Sequence, residues 1–156
     1  MMTKTTGNAL RLIFATLLCG GLIACGGAKT PPEEAVRAWV AQAQQRAEDK
    51  DRRGMMALIS PSYSDARGNK RADVENMLRA YFLRQNNIKL LSKIGAVRLF
   101  GEDAAELELT VGMAGTNNGV LGFSADAYSF EMELVRDGDD WLLLAARWGE
   151  VGGEIH

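Results

Sequence analysis

The spacing of apolar residues changes once along this chain of 156 residues, at about Asn87. Before that point apolar residues recur at helical spacing, as Val36 and Val40 do; beyond it they alternate with polar ones, as Leu107 and Leu109 do. Helices followed by a series of antiparallel strands are typical of the α+β class. The pattern therefore predicts three N-terminal helices packed on one side of a strongly curved antiparallel sheet.

Three segments before Asn87 are predicted to be helical. The first is capped by Thr30 and ends at about Asp49, the second is short, and the third carries an apolar face. We expect the turn-rich stretch from Tyr63 to Gly68 to separate the second helix from the third. The second helix is predicted over Met55–Ile59 and the third over about Lys70–Gln85, with Val74, Met77, Leu78, Tyr81 and Phe82 facing inward.

The second half of the chain is predicted to form strands joined by turns. Asp137–Asp140 has the glycine and aspartates that a tight hairpin needs, and the Gly- and Asn-rich stretch 114–127 is expected to be a mobile loop. Because the last strand is apolar on both faces, it is expected to be central in the sheet. Ile88–Phe100 is predicted to form one long bent strand or two, with a bulge at Gly95. Further strands are predicted at Ala105–Val111, Tyr128–Leu134 and Trp141–Trp148.

The N-terminus has the composition of an export signal. Lys4 and Arg11 precede an apolar run that ends at Ala24 and is too short to span a bilayer comfortably. We therefore predict a signal peptide over residues 1–24. Since Cys19 lies inside this leader, the remaining cysteine, Cys25, has no disulfide partner in the mature chain.

The sequence Leu22-Ile23-Ala24-Cys25 resembles the lipobox of bacterial lipoproteins. The resemblance implies cleavage before Cys25 by signal peptidase II and lipidation of the Cys25 thiol, with a lipidated tether over residues 25–30. Gly26 stands where the family's inner-membrane retention signal has aspartate, which implies an outer-membrane anchor facing the periplasm. The alternative is an ordinary cleaved signal followed by a chance cysteine.

Element order, the Tyr63-Ser64-Asp65…Gly68 turn and a last strand ending in Ala146-Arg147-Trp148 resemble the nuclear transport factor 2-like superfamily. The resemblance covers a domain at residues 31–151, followed by a tail at 152–156 that we expect to be frayed. It implies a cone-shaped fold whose open end can hold a small apolar ligand. The candidate pocket residues are Trp39, Tyr63, Asp65, Tyr81, Tyr128, Phe130 and Trp148.

Catalytic chemistry in the cone would need acids or bases that this chain scarcely supplies. Enzymes of that superfamily usually carry histidine, aspartate or tyrosine inside the cone, whereas the single histidine here is the final residue, His156. Tyr63, Asp65, Tyr81 and Tyr128 remain as candidates, although an aspartate in a turn more often accepts hydrogen bonds from nearby backbone amides. We predict no catalytic set, no metal site and no cofactor.

Charges are segregated along the chain. Residues 25–98 contain 14 basic and eight acidic residues, and residues 99–156 contain two and 12. One explanation is that arginines pair with four glutamates on the outer face of the sheet, while the helices are simply charged where they are exposed. The alternative is that the basic side faces anionic head groups or an acidic envelope partner. The pairs expected under the first explanation join Arg98, Arg136 and Arg147 to Glu106, Glu108, Glu131 and Glu133.

These observations lead to three hypotheses of function. The first is a non-catalytic envelope lipoprotein, held at the membrane by its lipid anchor, whose domain binds an apolar small molecule, a lipid or a partner protein. The second is an enzyme of the isomerase or hydratase type that uses Tyr or Asp in the cone. The third is a structural assembly subunit that pairs as a homodimer through its sheet face. We predict no nucleic-acid partner.

Overall fold

The computed structural model describes residues 30–117 and 123–156. The predicted signal peptide at 1–24 and the lipidation site at Cys25 lie outside the described residues, as does most of the tether. The elements follow one another as α1 (Pro32–Glu48), α2 (Arg52–Ala57), β1 (Ile59–Asp65), α3 (Arg71–Arg84), β2 (Gln85–Phe100), β3 (Ala104–Asn117), β4 (Phe123–Asp137) and β5 (Asp140–Glu150).

The five strands form one curved mixed sheet in the order β1-β5-β4-β3-β2. All neighbours are antiparallel except β1 and β5, which run parallel. The α+β class is thus confirmed, but the prediction of a wholly antiparallel sheet is wrong. The described residues contain three helices, but the prediction that all of them precede the first strand is wrong, because β1 lies between α2 and α3.

Strand β1 was predicted as the end of a helix followed by a turn. It contains Pro61, which has no backbone N–H to donate, and its pairing with β5 is interrupted between Ile59 and Ser64. Proline is tolerated at the edge of a sheet, where β1 lies, because no neighbour requires its N–H there. Helix α2 starts at Arg52, earlier than predicted, because the Asp51 carboxylate caps it by accepting the Gly54 N–H at 2.8 Å.

The predicted loop over residues 114–127 is largely strand in the structure. Strand β3 continues to Asn117 and β4 begins at Phe123, so only residues 118–122 of that stretch fall outside the described residues. A Cβ atom at Gly115 would come within 2.5 Å of Gln85 Oε1, so any larger residue there would require the Gln85 side chain to move. One glycine of this segment therefore lies at a close contact within the sheet.

The core lies between the helices and the inner face of the sheet. Val36, Trp39 and Val40 are buried on α1, as predicted, while Leu107 and Leu109 are buried on β3. In α3 the prediction holds for Phe82 but is wrong for Met77, which is 43% exposed.

The start of α1 and the C-terminal tail differ from the predictions, whereas the hairpin between the last two strands agrees with its prediction. Pro31 takes the N-cap position of α1 without a side-chain cap bond, so the predicted cap at Thr30 is wrong. The hairpin at Asp137–Asp140 is present, with Gly138 at φ 63°. We expected a frayed tail after Val151; in the structure the backbone of His156 pairs with Trp148 through two hydrogen bonds of 2.9 and 3.3 Å.

Helix α1 is joined to the edge strand β2 by two side chains one turn apart. Gln44 Nε2 donates to the carbonyl oxygen of Leu90 at 3.1 Å, and the N–H of Leu90 donates to Glu48 Oε1 at 2.8 Å. Lys89 Nζ donates to the other Glu48 oxygen at 3.2 Å. Both backbone groups of Leu90 are therefore satisfied by the helix.

We expect Glu48 to make folding sensitive to acid. The bond from the Leu90 N–H lowers the pKa of Glu48 below its ordinary value of 4.5, burial opposes this in part, and Lys89 lowers it further. A carboxylate whose pKa is depressed in the folded state contributes stability above its unfolded pKa, and that contribution is lost as pH falls through the folded pKa. Denaturant unfolding should therefore show a smaller loss of stability between about pH 5 and about pH 3 for Glu48→Gln than for the wild type. Glu34→Gln, an exposed position on the same helix, should keep the wild-type profile; identical profiles for all three proteins would contradict the expectation.

Candidate functional site

The helices and the inner face of the sheet enclose a cavity of about 280 Å³. Its wall is almost wholly apolar, and the polar side chains in it are Gln44, Tyr81 and Ser92. Gln44 already uses its amide to hold Leu90. None of the described residues in this wall is histidine, aspartate, glutamate, lysine or arginine. The cavity suits an apolar molecule, since ligand sites combine apolar walls with few polar groups, and its wall contains no strong base.

Three of the seven predicted pocket residues line this cavity, namely Trp39, Tyr81 and Phe130. Trp39 comes from α1, Tyr81 from α3 and Phe130 from β4, so the three elements meet around one space. The indole nitrogen of Trp39 is buried and has no hydrogen-bond acceptor among the described residues.

Two further predicted residues, Tyr128 and Trp148, adjoin the cavity through Phe130. The rings of Phe130 and Trp148 are stacked with centroids 6.3 Å apart, and Tyr128 meets the Trp148 ring edge-on at 5.9 Å. On Trp148 lies the guanidinium of Arg67, 3.7 Å from the ring centroid, and it also donates to the Trp148 carbonyl at 3.0 Å. These contacts hold the aromatic group in place beside the cavity.

The last two predicted residues, Tyr63 and Asp65, lie away from the cavity wall. Tyr63 is 5% exposed in the core, where burial, together with the charge of Asp65, raises the pKa of Tyr63 to about 12. The Asp65 carboxylate accepts the N–H of Arg67 at 3.0 Å and both the N–H and the amide of Asn69 at 2.8 and 2.7 Å. Three donors engage this carboxylate, so its contacts are those of a residue that shapes the turn between β1 and α3.

Sequence reasoning missed two charged residues beside the cavity, Arg84 and Asp126. Asp126 precedes Tyr128 by two positions and therefore shares its face of β4, and Arg84 lies in the last turn of α3. Burial raises the pKa of Tyr81. The nearby Asp126 and Tyr128 raise this pKa further, whereas Arg84 lowers it. The alternation of β4 could have revealed Asp126, but the segment 114–127 was predicted to be a loop.

The outer face of the sheet carries the four glutamates predicted there. Glu106 lies opposite Glu133 and Glu108 opposite Glu131, so like charges face each other across β3 and β4. Arg98 binds Glu106 and Glu108, and Arg147 binds Glu131, as the pairing explanation predicts.

Arg136 departs from this scheme, since it contacts Asp139 and the Gly138 carbonyl rather than a sheet glutamate. A groove of about 500 Å³ crosses all five strands on this outer face.

Many cations of the helices are engaged within the domain. Ion pairs join Arg37 to Glu33 and Arg52 to Glu75. Arg71 donates to two backbone carbonyls at the end of α2 and the start of β1, at 2.7 and 3.1 Å. The two ion pairs offset two of the positive charges that a basic docking face would need.

Neither a metal centre nor a membrane span is found in the described part of the chain. Residues 30–117 and 123–156 contain no group of three or more histidine, cysteine, aspartate or glutamate side chains placed to hold a metal ion. No helix within those residues is both long enough and apolar enough to cross a bilayer.

Comparison with known proteins gives matches in structure only. No protein-family model matches the sequence, and no curated protein matches it. A candidate scytalone dehydratase from Novosphingobium aromaticivorans matches with a TM-score of 0.70 and 10% identity, over 76% of this chain and 83% of that chain. A nuclear transport factor 2-like superfamily protein from Salmonella enterica matches at 0.65 and 11%, over 79% and 93%. A ketosteroid isomerase-like protein from Erwinia carotovora matches at 0.62 and 11%, over 76% and 95%. Identities this low show a shared fold and nothing about chemistry.

Proposed function

Because the chain has the nuclear transport factor 2-like fold, we propose that its cone binds a small apolar molecule without transforming it. The observation that carries this proposal is the apolar cavity of about 280 Å³ with no histidine, aspartate, glutamate, lysine or arginine among its described wall residues. A dry apolar cavity of about 150 Å³ is enough to hold benzene. A space nearly twice that size suits a molecule with two fused rings or a short alkyl body.

Filling the cavity tests this proposal. Wild-type protein should bind naphthalene in isothermal titration calorimetry, and Ala43→Phe should weaken that binding by more than about tenfold. Ala43 lines the cavity, so a phenyl ring there displaces ligand, and each lost CH₂-sized contact costs about 0.8 kcal/mol.

The matched control is Ala41→Phe, since Ala41 is exposed on the same helix. Circular dichroism should show both variants folded. Equal naphthalene affinity in the two variants, or no binding by the wild type, would refute binding in the cavity.

The proposal includes an anchor at Cys25 that holds the domain at the bacterial outer membrane, facing the periplasm. The lipobox at Leu22–Cys25 supports it, and a tether of a few residues, each spanning at most about 3.5 Å, would keep the domain close to the lipid.

We expect Cys25→Ala to abolish lipidation of the full chain in a bacterial host. The protein should lose the lipid mass in mass spectrometry and move from the membrane fraction to the soluble one, because the thiol that carries the lipid is gone. Cys19→Ala is the control, since Cys19 lies in the leader and should leave lipidation unchanged. Retention of the lipid mass in Cys25→Ala would disprove the anchor.

A second candidate function is catalysis of the isomerase or hydratase type. Tyr81 in the cavity wall, with Asp126 and Tyr128 nearby, favours it, and two of the similar structures are named after a dehydratase and an isomerase. Against it, Asp126 is exposed and stands outside the wall.

The third hypothesis, pairing of two copies through the sheet face, is supported by the groove of about 500 Å³ on the outer side of the sheet. Sedimentation of the purified protein would show such a dimer.

A further inference from the structure

The inner face of β4 changes from apolar to polar along its length. Met132 and Phe130 line the cavity, and Tyr128 and Asp126 follow at every second position toward the start of the strand. Residues that alternate along a strand share one face of the sheet. The wall of the cavity therefore continues, on the same face, into a hydroxyl and a carboxylate.

Register with β3 places these two side chains at the edge of the cavity. Tyr128 lies opposite Val111 and Asp126 lies opposite Met113, and both partners line the cavity. Side chains of directly paired residues stand on the same face with Cβ atoms about 5 Å apart. Asp126 is exposed and Tyr128 is half-buried, so this edge is the border between the cavity and solvent.

Helix α3 completes this border with Tyr81 and Arg84. Tyr81 is part of the cavity wall, and Arg84 follows it by three positions and therefore lies on the same side of the helix. Asp126 and Tyr128 raise the pKa of Tyr81 and Arg84 lowers it, as expected for groups that lie near one another. We call the four residues Tyr81, Arg84, Asp126 and Tyr128 the polar rim. The rim contains one positive charge, one negative charge and two hydroxyls, so its formal charge is zero.

We propose that the polar rim binds the hydroxyl or carbonyl of a neutral amphiphile whose apolar body fills the cavity. This inference rests on the proposed function, because it requires that the cavity holds a ligand. A ligand hydroxyl both donates and accepts hydrogen bonds, and the rim offers tyrosine hydroxyls, a carboxylate acceptor and a guanidinium donor. A carboxylate head group would be attracted by Arg84 but repelled by Asp126, and an ammonium head group would be attracted by Asp126 but repelled by Arg84. Neither charge is therefore favoured.

Three naphthalene probes that differ only in their head group test this inference by calorimetry on the wild-type protein. We expect 2-naphthol to bind about tenfold more tightly than naphthalene, since one net hydrogen bond of ordinary strength gives about that factor. We also expect 2-naphthol to bind more tightly than 2-naphthoate, because the carboxylate of 2-naphthoate meets Asp126.

Two variants then locate the head group. Tyr81→Phe and Asp126→Asn should each reduce the ratio of 2-naphthol affinity to naphthalene affinity, measured on the same variant, from about tenfold to about twofold. Asp126 is exposed, so its variant is expected to fold. Tyr63→Phe is the control, because Tyr63 lies in the core away from the cavity, and it should leave this ratio unchanged.

The outcomes separate this inference from the proposed function. If the wild type binds naphthalene but binds 2-naphthol no better, or binds 2-naphthoate best, the rim inference is overturned and ligand binding in the cavity stands. If the rim variants lose naphthalene affinity to the same extent as 2-naphthol affinity, the rim shapes the cavity and does not select the head group. If the wild type binds no probe, both proposals fall.

Discussion

Leu107→Ala should lower the free energy of unfolding by about 4 kcal/mol. The Leu107 side chain is 1% exposed, and its strand, β3, has neighbours on both sides. Truncation removes the buried methyl groups from apolar surroundings and leaves a void that a sheet hydrogen-bonded on two sides cannot close. Urea denaturation monitored by circular dichroism measures the loss as a shift in the midpoint at unchanged slope.

Leu91→Ala supplies the comparison for this substitution. The same substitution of leucine by alanine is made on the neighbouring strand β2, where the Leu91 side chain is 77% exposed. We expect a loss of less than about 0.5 kcal/mol there, since surface substitutions rarely cost more. Similar losses at Leu107 and Leu91 would contradict the assignment of the inner and outer faces of the sheet.

Asp65→Ala should cost about 3 kcal/mol, because it removes the acceptor of three hydrogen bonds at a residue that is 6% exposed. The N–H groups of Arg67 and Asn69 would be left without this partner in the turn that leads into α3. Asp65→Asn keeps one acceptor oxygen and should lose about half as much. Thermal and urea unfolding of the two variants beside the wild type measure both losses.

The Asp65 variants also separate a structural role from a role in the cavity. Asp139→Ala, whose side chain is fully exposed in the β4–β5 hairpin, should change stability little. At a temperature where Asp65→Asn is folded, its naphthalene affinity should equal that of the wild type, because Asp65 does not line the cavity. A variant that kept its stability but lost ligand affinity would assign Asp65 to the ligand instead.

Strong local periodicity made much of this fold predictable from sequence. Helix α1 has an apolar stripe through Val36, Trp39 and Val40, and strand β3 alternates cleanly through Leu107 and Leu109. Each stripe identifies the buried face because a helix or strand exposes its side chains at a fixed period. The bulge expected at Gly95 also appears, since the β2–β3 register shifts between residues 94 and 97.

Strand β1 could not be predicted in the same way, because its extended conformation is stabilised by pairing with β5, which lies far along the chain. Ile59 pairs with Leu143 and Ser64 with Ala145, while its own sequence contains a proline and three serines. Tertiary pairing outweighed a local composition that favours turns.

For the site, residue types pointed to the cavity but not to its border. Periodicity placed Trp39, Tyr81 and Phe130 on the inner faces of their elements, and the resemblance to the superfamily implied a pocket there. Whether a cavity remains between these side chains depends on the distances between α1, α3 and β4, and the sequence of one element does not determine those distances. Asp126 was missed because residues 114–127 were predicted to be a loop. Arg84 was missed because nothing in the sequence of α3 shows that Tyr81, three positions earlier, lines a cavity.

The contact between α1 and Leu90 also bears on how one molecule meets another. Strand β2 is 16 residues long and lies at the edge of the sheet, where unpaired backbone groups can accept a strand from a second chain. At Leu90 both of those groups are already taken by Gln44 and Glu48. A strand added from outside would have to break these two bonds in the first half of β2, so helix α1 opposes strand addition at Leu90.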